Sequence, residues 1–199
     1  MSLLTTPNAG RYGVIYSDPP WKFLTRSPKG VGRKSPDHHY PTETIEDLCA
    51  MPVGQVAARD AFLFMWVTWP HLPHAFTLAE AYGFTYSTGG PWAKQSSTGR
   101  TWQFGTGYIF RSASEPLLVF RRGNPRWLLK NERNLWVAPV REHSRKPDLV
   151  RDMIARGVAP DVPKLEMFTR QTFPGWDAWG NDVGKFAPAR PRRTVRAGS

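Results

Sequence analysis

This sequence predicts an α/β fold with a largely parallel sheet, on three observations. Short apolar runs of strand length alternate with segments of helical periodicity. The first apolar run stops at an aspartate followed by two prolines, as expected of a side chain presented at the carboxyl edge of a sheet, where α/β proteins bind ligands. The 199 residues, 40% hydrophobic and 13% aromatic, suffice for one sizeable core but not for two full domains.

In chain order, RYGVIYSD predicts a buried strand, because Val14, Ile15 and Tyr16 form an apolar run that Pro19 and Pro20 must end. The next stretch, LTRSPKGVGRKSPDHHYPT, is rich in glycine, proline and cations and reads as a loop. Thr44 then caps a short helix through TIEDLCAM. AFLFMWVT, Ala61 to Thr68, predicts a second fully apolar strand; a helical pattern through Phe76, Leu78, Ala79 and Tyr82 follows and ends at Gly83. FTYSTGGPWAK, EPLLVFRR and LWVAPV predict three more strands. Between the first two of these, Trp102, Phe104, Tyr108 and Phe110 alternate along WQFGTGYIF, which reads as a core strand, with a base-stacking surface as the alternative. The clearest helix starts near Ser144, with Pro147 in its first turn, Leu149, Val150, Met153 and Ile154 on one face, and Gly157 at its end. KLEMFTR predicts a last strand.

Lysine and arginine outnumber aspartate and glutamate by 27 to 16, a net charge of +11 that suits a polyanionic partner such as nucleic acid. Four of the arginines fall in PARPRRTVRAGS, so a basic, disordered tail is expected over residues 187–199, behind one domain spanning residues 1–186. The single Cys49 excludes an internal disulfide and a cysteine-rich metal site. His38 with His39, and His71 with His74, lack a carboxylate or cysteine set that would complete a site, so no metal is expected. No strand leads into GxGxxG, which argues against a nicotinamide enzyme, and GVGRKS has the wrong spacing for a phosphate loop. The sequence carries no secretory leader pattern and no apolar run of membrane-spanning length, so a cytoplasmic location is expected.

The tetrapeptide Asp18-Pro19-Pro20-Trp21 concentrates the chemistry. The exocyclic amine of a nucleobase is a poor nucleophile because its lone pair is delocalised into the ring. A carboxylate at Asp18 can accept one of its protons in a hydrogen bond, and the carbonyl of Pro19 can accept the other. Both interactions draw the nitrogen toward tetrahedral geometry. Trp21 can supply a stacking surface for a base flipped out of a duplex; the plainer reading is a strand-ending turn in which Trp21 merely packs. Arg26, Lys29, Arg33 and Lys34, in the loop that follows, can contact phosphates beside such a pocket, or form a solvated loop.

DPPW, HSRKPD and then LEMFTR with GWDAWGN, in that order, resemble the MT-A70 family of S-adenosylmethionine-dependent N6-adenine methyltransferases, from Tyr12 to Asp182. The resemblance implies a single-domain Rossmann-like methyltransferase sheet with helices on both faces and a permuted motif order, catalytic segment first. It implies that Asp18, Pro19, Pro20 and Trp21 are catalytic, with Asp18 also edging the cofactor. It further implies that Lys146, Glu166, Arg170, Asn181 and Asp182 surround the cofactor, Asp182 standing where members often carry Glu or Gln. Each has a plainer reading: a solvated helix start for Lys146, a surface pair for Glu166 and Arg170, a turn residue for Asn181. His143 and Ser144 are candidates for substrate contact, Ser144 alternatively a helix cap. The implied activity is site-specific N6-adenine methylation, with DNA favoured over RNA because the small size and short loops resemble bacterial or phage members; the implied compartment is then the cytoplasm of a bacterium or of a phage-infected host. RNA N6-adenine methylation, N4-cytosine methylation of DNA and a non-catalytic nucleic-acid-binding subunit remain the alternatives. No inserted segment resembles a target-recognition domain, so base selection falls to loops or a partner. A homodimer and a partner subunit both stay open.

Overall fold

A computed structural model describes residues 4, 8–21, 44–107, 109–142 and 145–180. The strands are β1 (Tyr12–Ser17), β2 (Ala57–Trp66), β3 (Thr85–Gln95), β4 (Ser114–Arg122), β5 (Trp136–Pro139), β6 (Lys164–Met167) and β7 (Asp177–Trp179). The helices are α1 (Ile45–Ala50), α2 (Val53–Val56), α3 (Leu72–Ala81) and α4 (Asp148–Arg156). The strands form one sheet in the order β5-β3-β4-β2-β1-β6-β7. β4 runs antiparallel to β2 and β3, and every other neighbouring pair is parallel.

Alternation along the strands divides the core in two. Ile15, Leu63 and Met65 face α1–α3, whereas Tyr16, Phe64 and Trp66 pack against Val150, Met153 and Ile154 of α4. The helices therefore cover both faces, as expected. Fully burying one such side chain stabilises by about 1.5–3 kcal/mol. The Thr44 cap, whose Oγ1 accepts from the Asp47 amide at 3.1 Å, contributes about 1 kcal/mol, so the central strands outweigh the caps. The chain leaves β1 toward β2 on one side and returns much later to place β6 on the other. This reversal of strand order opens a crevice between the carboxyl ends of β1 and β6.

Several sequence expectations are corrected. Among the described residues of 102–110 there is no core strand: Trp102, Phe104 and Phe110 are 62%, 77% and 85% exposed, and Tyr108 lies outside the described residues. Trp102 forms only an isolated bridge with Gln95 at the end of β3, Gln103 donates to the Lys94 carbonyl of the same strand, and Gly105 and Ser112 bond within the segment itself. α4 starts at Asp148 with Pro147 as its cap rather than in its first turn. Its buried face takes Arg151, not Leu149, which is 44% exposed. Arg151 can be buried because it pairs with Asp148 and Asp152 at 3.2 Å each and lies over the ring of Phe173. β2 begins at Ala57, ahead of the purely apolar run. In α3 Ala75 lies in the core beside Leu78 and Ala79, while Phe76 is 41% exposed. Gly83 ends this helix segment at φ 78°, a left-handed turn that glycine adopts without strain. Cys49 is a free, half-buried cysteine packed against the core.

Candidate active site

β1 and β6 are in register as Tyr16 opposite Glu166 and Ser17 opposite Met167, so Asp18 lies one residue beyond the paired strands. The two-residue period puts Tyr16, Asp18 and Glu166 on the face toward α4. The prolines end β1, and the Trp21 amide donates to the Pro19 carbonyl at 2.8 Å. One lone pair of that carbonyl remains for another donor. The Trp21 indole is fixed: its Nε1 donates to the Trp66 carbonyl at 3.1 Å, and its ring stacks on His71 with centroids 5.6 Å apart.

A line of alternating charges runs from Asp18 into the sheet. Lys146 Nζ lies 2.7 Å from Asp18 Oδ2 and 3.1 Å from Glu115 Oε1, and Lys94 Nζ lies 2.6 Å from Glu115 Oε2. β4 is antiparallel, so its first residues, including Glu115, meet the end of β3 with Lys94 at the same sheet edge as Asp18. The Lys146 and Glu115 side chains are only 12% and 8% exposed, while Asp18 keeps 42% of its side chain at the mouth of the cleft. Burial pushes Glu115 up, but the two lysines outweigh it and hold its carboxyl below the usual range. Burial opposes the charge on Lys146 as well, and the two carboxylates override it and raise its pKa well above that of a free lysine. Partial burial raises the Asp18 carboxyl, against the pull of Lys146. The Lys146 ammonium at 2.7 Å and the solvent-exposed side of the carboxyl both favour its charged form.

The cleft beside it is lined by Tyr16, Asp18, Trp66, Lys146, Glu166, Thr169 and Arg170, among others. Tyr16 is held by Trp66, whose Nε1 donates to its hydroxyl at 2.6 Å. Phe168 adopts the left-handed backbone, φ 61°, directly after β6, in the segment that carries Thr169 and Arg170 along the cleft. A bulky residue there costs about 1–3 kcal/mol, strain of the sort found at ligand sites. Among the described residues Glu166 Oε2 is buried without a hydrogen-bond partner, and burial lifts this carboxyl to about 7 despite Arg151 nearby. An acceptor left unsatisfied inside a cleft fits a ligand that brings hydroxyl donors.

Asp18, Pro19, Pro20, Trp21, Lys146, Glu166 and Arg170 thus come together at the carboxyl edge of β1 and β6. Glu166 is no surface side chain, contrary to its plainer reading. Arg26, Lys29, Arg33, Lys34, His143, Ser144, Asn181 and Asp182 lie outside the described residues, as does the 187–199 segment. Sequence reasoning missed Glu115, Lys94 and Arg151. A signal existed for the first two, a carboxylate heading the apolar run EPLLVFRR and a lysine ending FTYSTGGPWAK. Among the described residues no group of three or more His, Cys, Asp or Glu side chains is placed to hold a metal, and no helix is long and apolar enough to cross a membrane.

An open, mostly parallel sheet covered by helices on both faces, with a cleft at the switch point beside an Asp-Pro-Pro-Trp turn, defines a Rossmann-like methyltransferase. The chain belongs to the MT-A70 family, whose sequence profile matches residues 12–182. It is similar to the Type II methyltransferase M.MunI of Mycoplasma sp, 32% identical over 87% of this chain and 78% of that protein. It is also similar to the N(6)-adenosine-methyltransferase catalytic subunit METTL3 of Homo sapiens and the N(6)-adenosine-methyltransferase MT-A70-like protein of Arabidopsis thaliana, both 29% identical over 87% of this chain. Of those two proteins the similarity covers only 28% and 24% of the length.

Proposed function

We propose that this protein transfers the methyl group of S-adenosylmethionine to the N6 amine of adenine in DNA. The observation that carries the reading is Asp18, whose Oδ2 is held by Lys146 while its Oδ1 makes no hydrogen bond among the described residues, at the mouth of a cleft containing the unpaired Glu166 oxygen. Asp18 Oδ1 accepts one N6 proton and the Pro19 carbonyl accepts the other. Together they draw the amine lone pair out of conjugation with the ring and aim it into the cleft. S-adenosylmethionine supplies, when bound, an electrophilic methyl group on sulfur. Glu166 would hold its ribose hydroxyls, with Arg170 and Lys146 bracing the site and Asn181 and Asp182 completing it. In the transfer the methyl group would leave sulfur for the amine nitrogen, releasing S-adenosylhomocysteine, and the amine would give up one proton to Asp18, whose exposed side can pass it to solvent.

DNA is favoured because a similarity that extends over 78% of a relative's length is to a Type II methyltransferase. The test is incubation with S-adenosylmethionine and matched single-stranded DNA, duplex DNA or RNA, followed by nucleoside mass spectrometry. N6-methyldeoxyadenosine is the expected product. N6-methyladenosine from RNA alone would move the substrate, N4-methyldeoxycytidine would overturn the base, and bound cofactor without any product would leave a silent subunit.

Glu166 makes cofactor binding pH-dependent. A hydroxyl donates to the carboxylate form, which in the free protein is half populated near pH 7. S-adenosylmethionine affinity measured by calorimetry is therefore expected to rise from pH 6 to pH 8. Glu166→Gln should flatten that rise and weaken binding about 10-fold at pH 8, the loss of a charge-assisted hydrogen bond. An unchanged slope in the variant would remove Glu166 from the cofactor site.

A further inference from the structure

The described residues of the 96–113 connection between β3 and β4 are tied by backbone hydrogen bonds, yet they display large apolar side chains to solvent. Ser96 donates to the Thr101 carbonyl and Gly99 to the Ser96 carbonyl, both at 2.8 Å, with Gly99 at φ 71° closing a tight first turn. Gly105 donates to the Ser112 carbonyl at 3.0 Å, and Gln103 donates back to the Lys94 carbonyl at 2.8 Å. On this frame Trp102, Phe104, Ile109 and Phe110 are 62–85% exposed. A backbone bonded in this way keeps aromatic rings in water, whereas a core would have hidden them, and exposed apolar clusters of this kind mark binding surfaces.

Position and charge define the occupant. The connection begins and ends at the carboxyl edge of the sheet, and its neck is the Lys94–Glu115 ion pair, which Lys146 joins to Asp18. Residues 96–113 contain no aspartate or glutamate, and their only charges are Arg100 and Arg111. Arg111 already lies over the Phe104 ring, 5.4 Å from its centroid. Trp21 does not offer a comparably free ring, since one face is against His71 and its nitrogen is bonded to Trp66. Exposed aromatic rings interleaved with cations are the means by which proteins grip single-stranded nucleic acid, rings stacking on bases and arginines meeting phosphates.

We propose that the 96–113 connection is a stacking platform for unpaired bases flanking the target adenine, with Trp102, Phe104 and Phe110 as the stacking residues and Arg100 and Arg111 as phosphate contacts. This inference rests on the nucleic-acid reading of the site. The platform holds the strand open beside Asp18, so that the target base enters the cleft while its neighbours remain stacked on protein.

The test measures binding of a fluorescein-labelled single-stranded oligonucleotide by anisotropy, without cofactor, to the wild type, to a W102A/F104A/F110A variant and to a W102F/F104Y/F110Y variant. The alanine variant is expected to bind about 10- to 100-fold more weakly, and the aromatic variant near wild type. On an oligonucleotide carrying abasic spacers the difference between wild type and the alanine variant should vanish. Calorimetric S-adenosylmethionine affinity and the molecular mass from light scattering should be unchanged. Equal oligonucleotide affinity of wild type and the alanine variant would overturn the platform alone. A drop in mass of the alanine variant with unchanged affinity would assign the rings to a second copy of the chain instead. Failure of the wild type to bind any oligonucleotide would bring down the nucleic-acid reading with it.

Discussion

Replacing Asp18 by alanine is expected to lower the methyl-transfer rate on the order of 10²–10³-fold, the usual consequence of deleting one preorganised group that stabilises a transition state. The carboxylate accepts a bond that strengthens as the amine nitrogen becomes tetrahedral, so the loss falls on kcat more than on KM. Asp18→Asn keeps a carbonyl acceptor without the charge and should fall between alanine and wild type. Calorimetric S-adenosylmethionine affinity should change only a few-fold. Fold stability should change little, because Lys146 keeps Glu115 at 3.1 Å as a counter-ion when Asp18 is lost. Single-turnover kinetics on the wild type and both variants decide the matter, and full activity of Asp18→Ala would sink the proposed mechanism.

Lys146→Met should damage both stability and turnover, for the converse reason. Lys146 stands between two carboxylates, and its removal takes from Asp18 the ammonium 2.7 Å away and from Glu115 one of its two lysines. Breaking a buried pair costs about 3–5 kcal/mol, and the partial exposure of Asp18 brings the expectation to about 3 kcal/mol. For a domain of this size that corresponds to a fall in Tm of roughly 6–12 °C. Lys146 lowers the Asp18 carboxyl pKa, so its removal lets that pKa rise. The residual activity should then need a higher pH, with the acid limb of the kcat profile displaced upward between pH 5 and 9. A variant that melts early but keeps the acid limb in place would make Lys146 a structural lysine only.

DPPW was legible because its meaning is local: prolines must end a strand, and the residue before them must stand at its end. Glu166 was legible only as a motif position. Its burial and missing partner depend on Tyr16 opposite it, a neighbour 150 residues away in the chain. The WQFGTGYIF alternation misled because a two-residue period is equally produced by a loop that presents alternate rings to solvent. Whether such a segment enters a sheet depends on a free edge being available, and β3 and β4 already pair with each other. Arg151 rather than Leu149 joins the buried face of α4, where Asp148 and Asp152 supply acidic partners for the arginine.

By itself the sequence determined the α/β class, the end of β1 just before Asp18, the Thr44 cap and the membership of a methyltransferase family, each carried by residues adjacent in the chain or by an ordered set of motifs. Only the tertiary structure decided that β4 runs antiparallel and so delivers Glu115 to the edge where Asp18 and Lys146 already stand. It alone also decided that the aromatic connection stays in water. Both are outcomes of strand pairing between distant segments, whose free energy belongs to the assembled sheet and to no single stretch of chain.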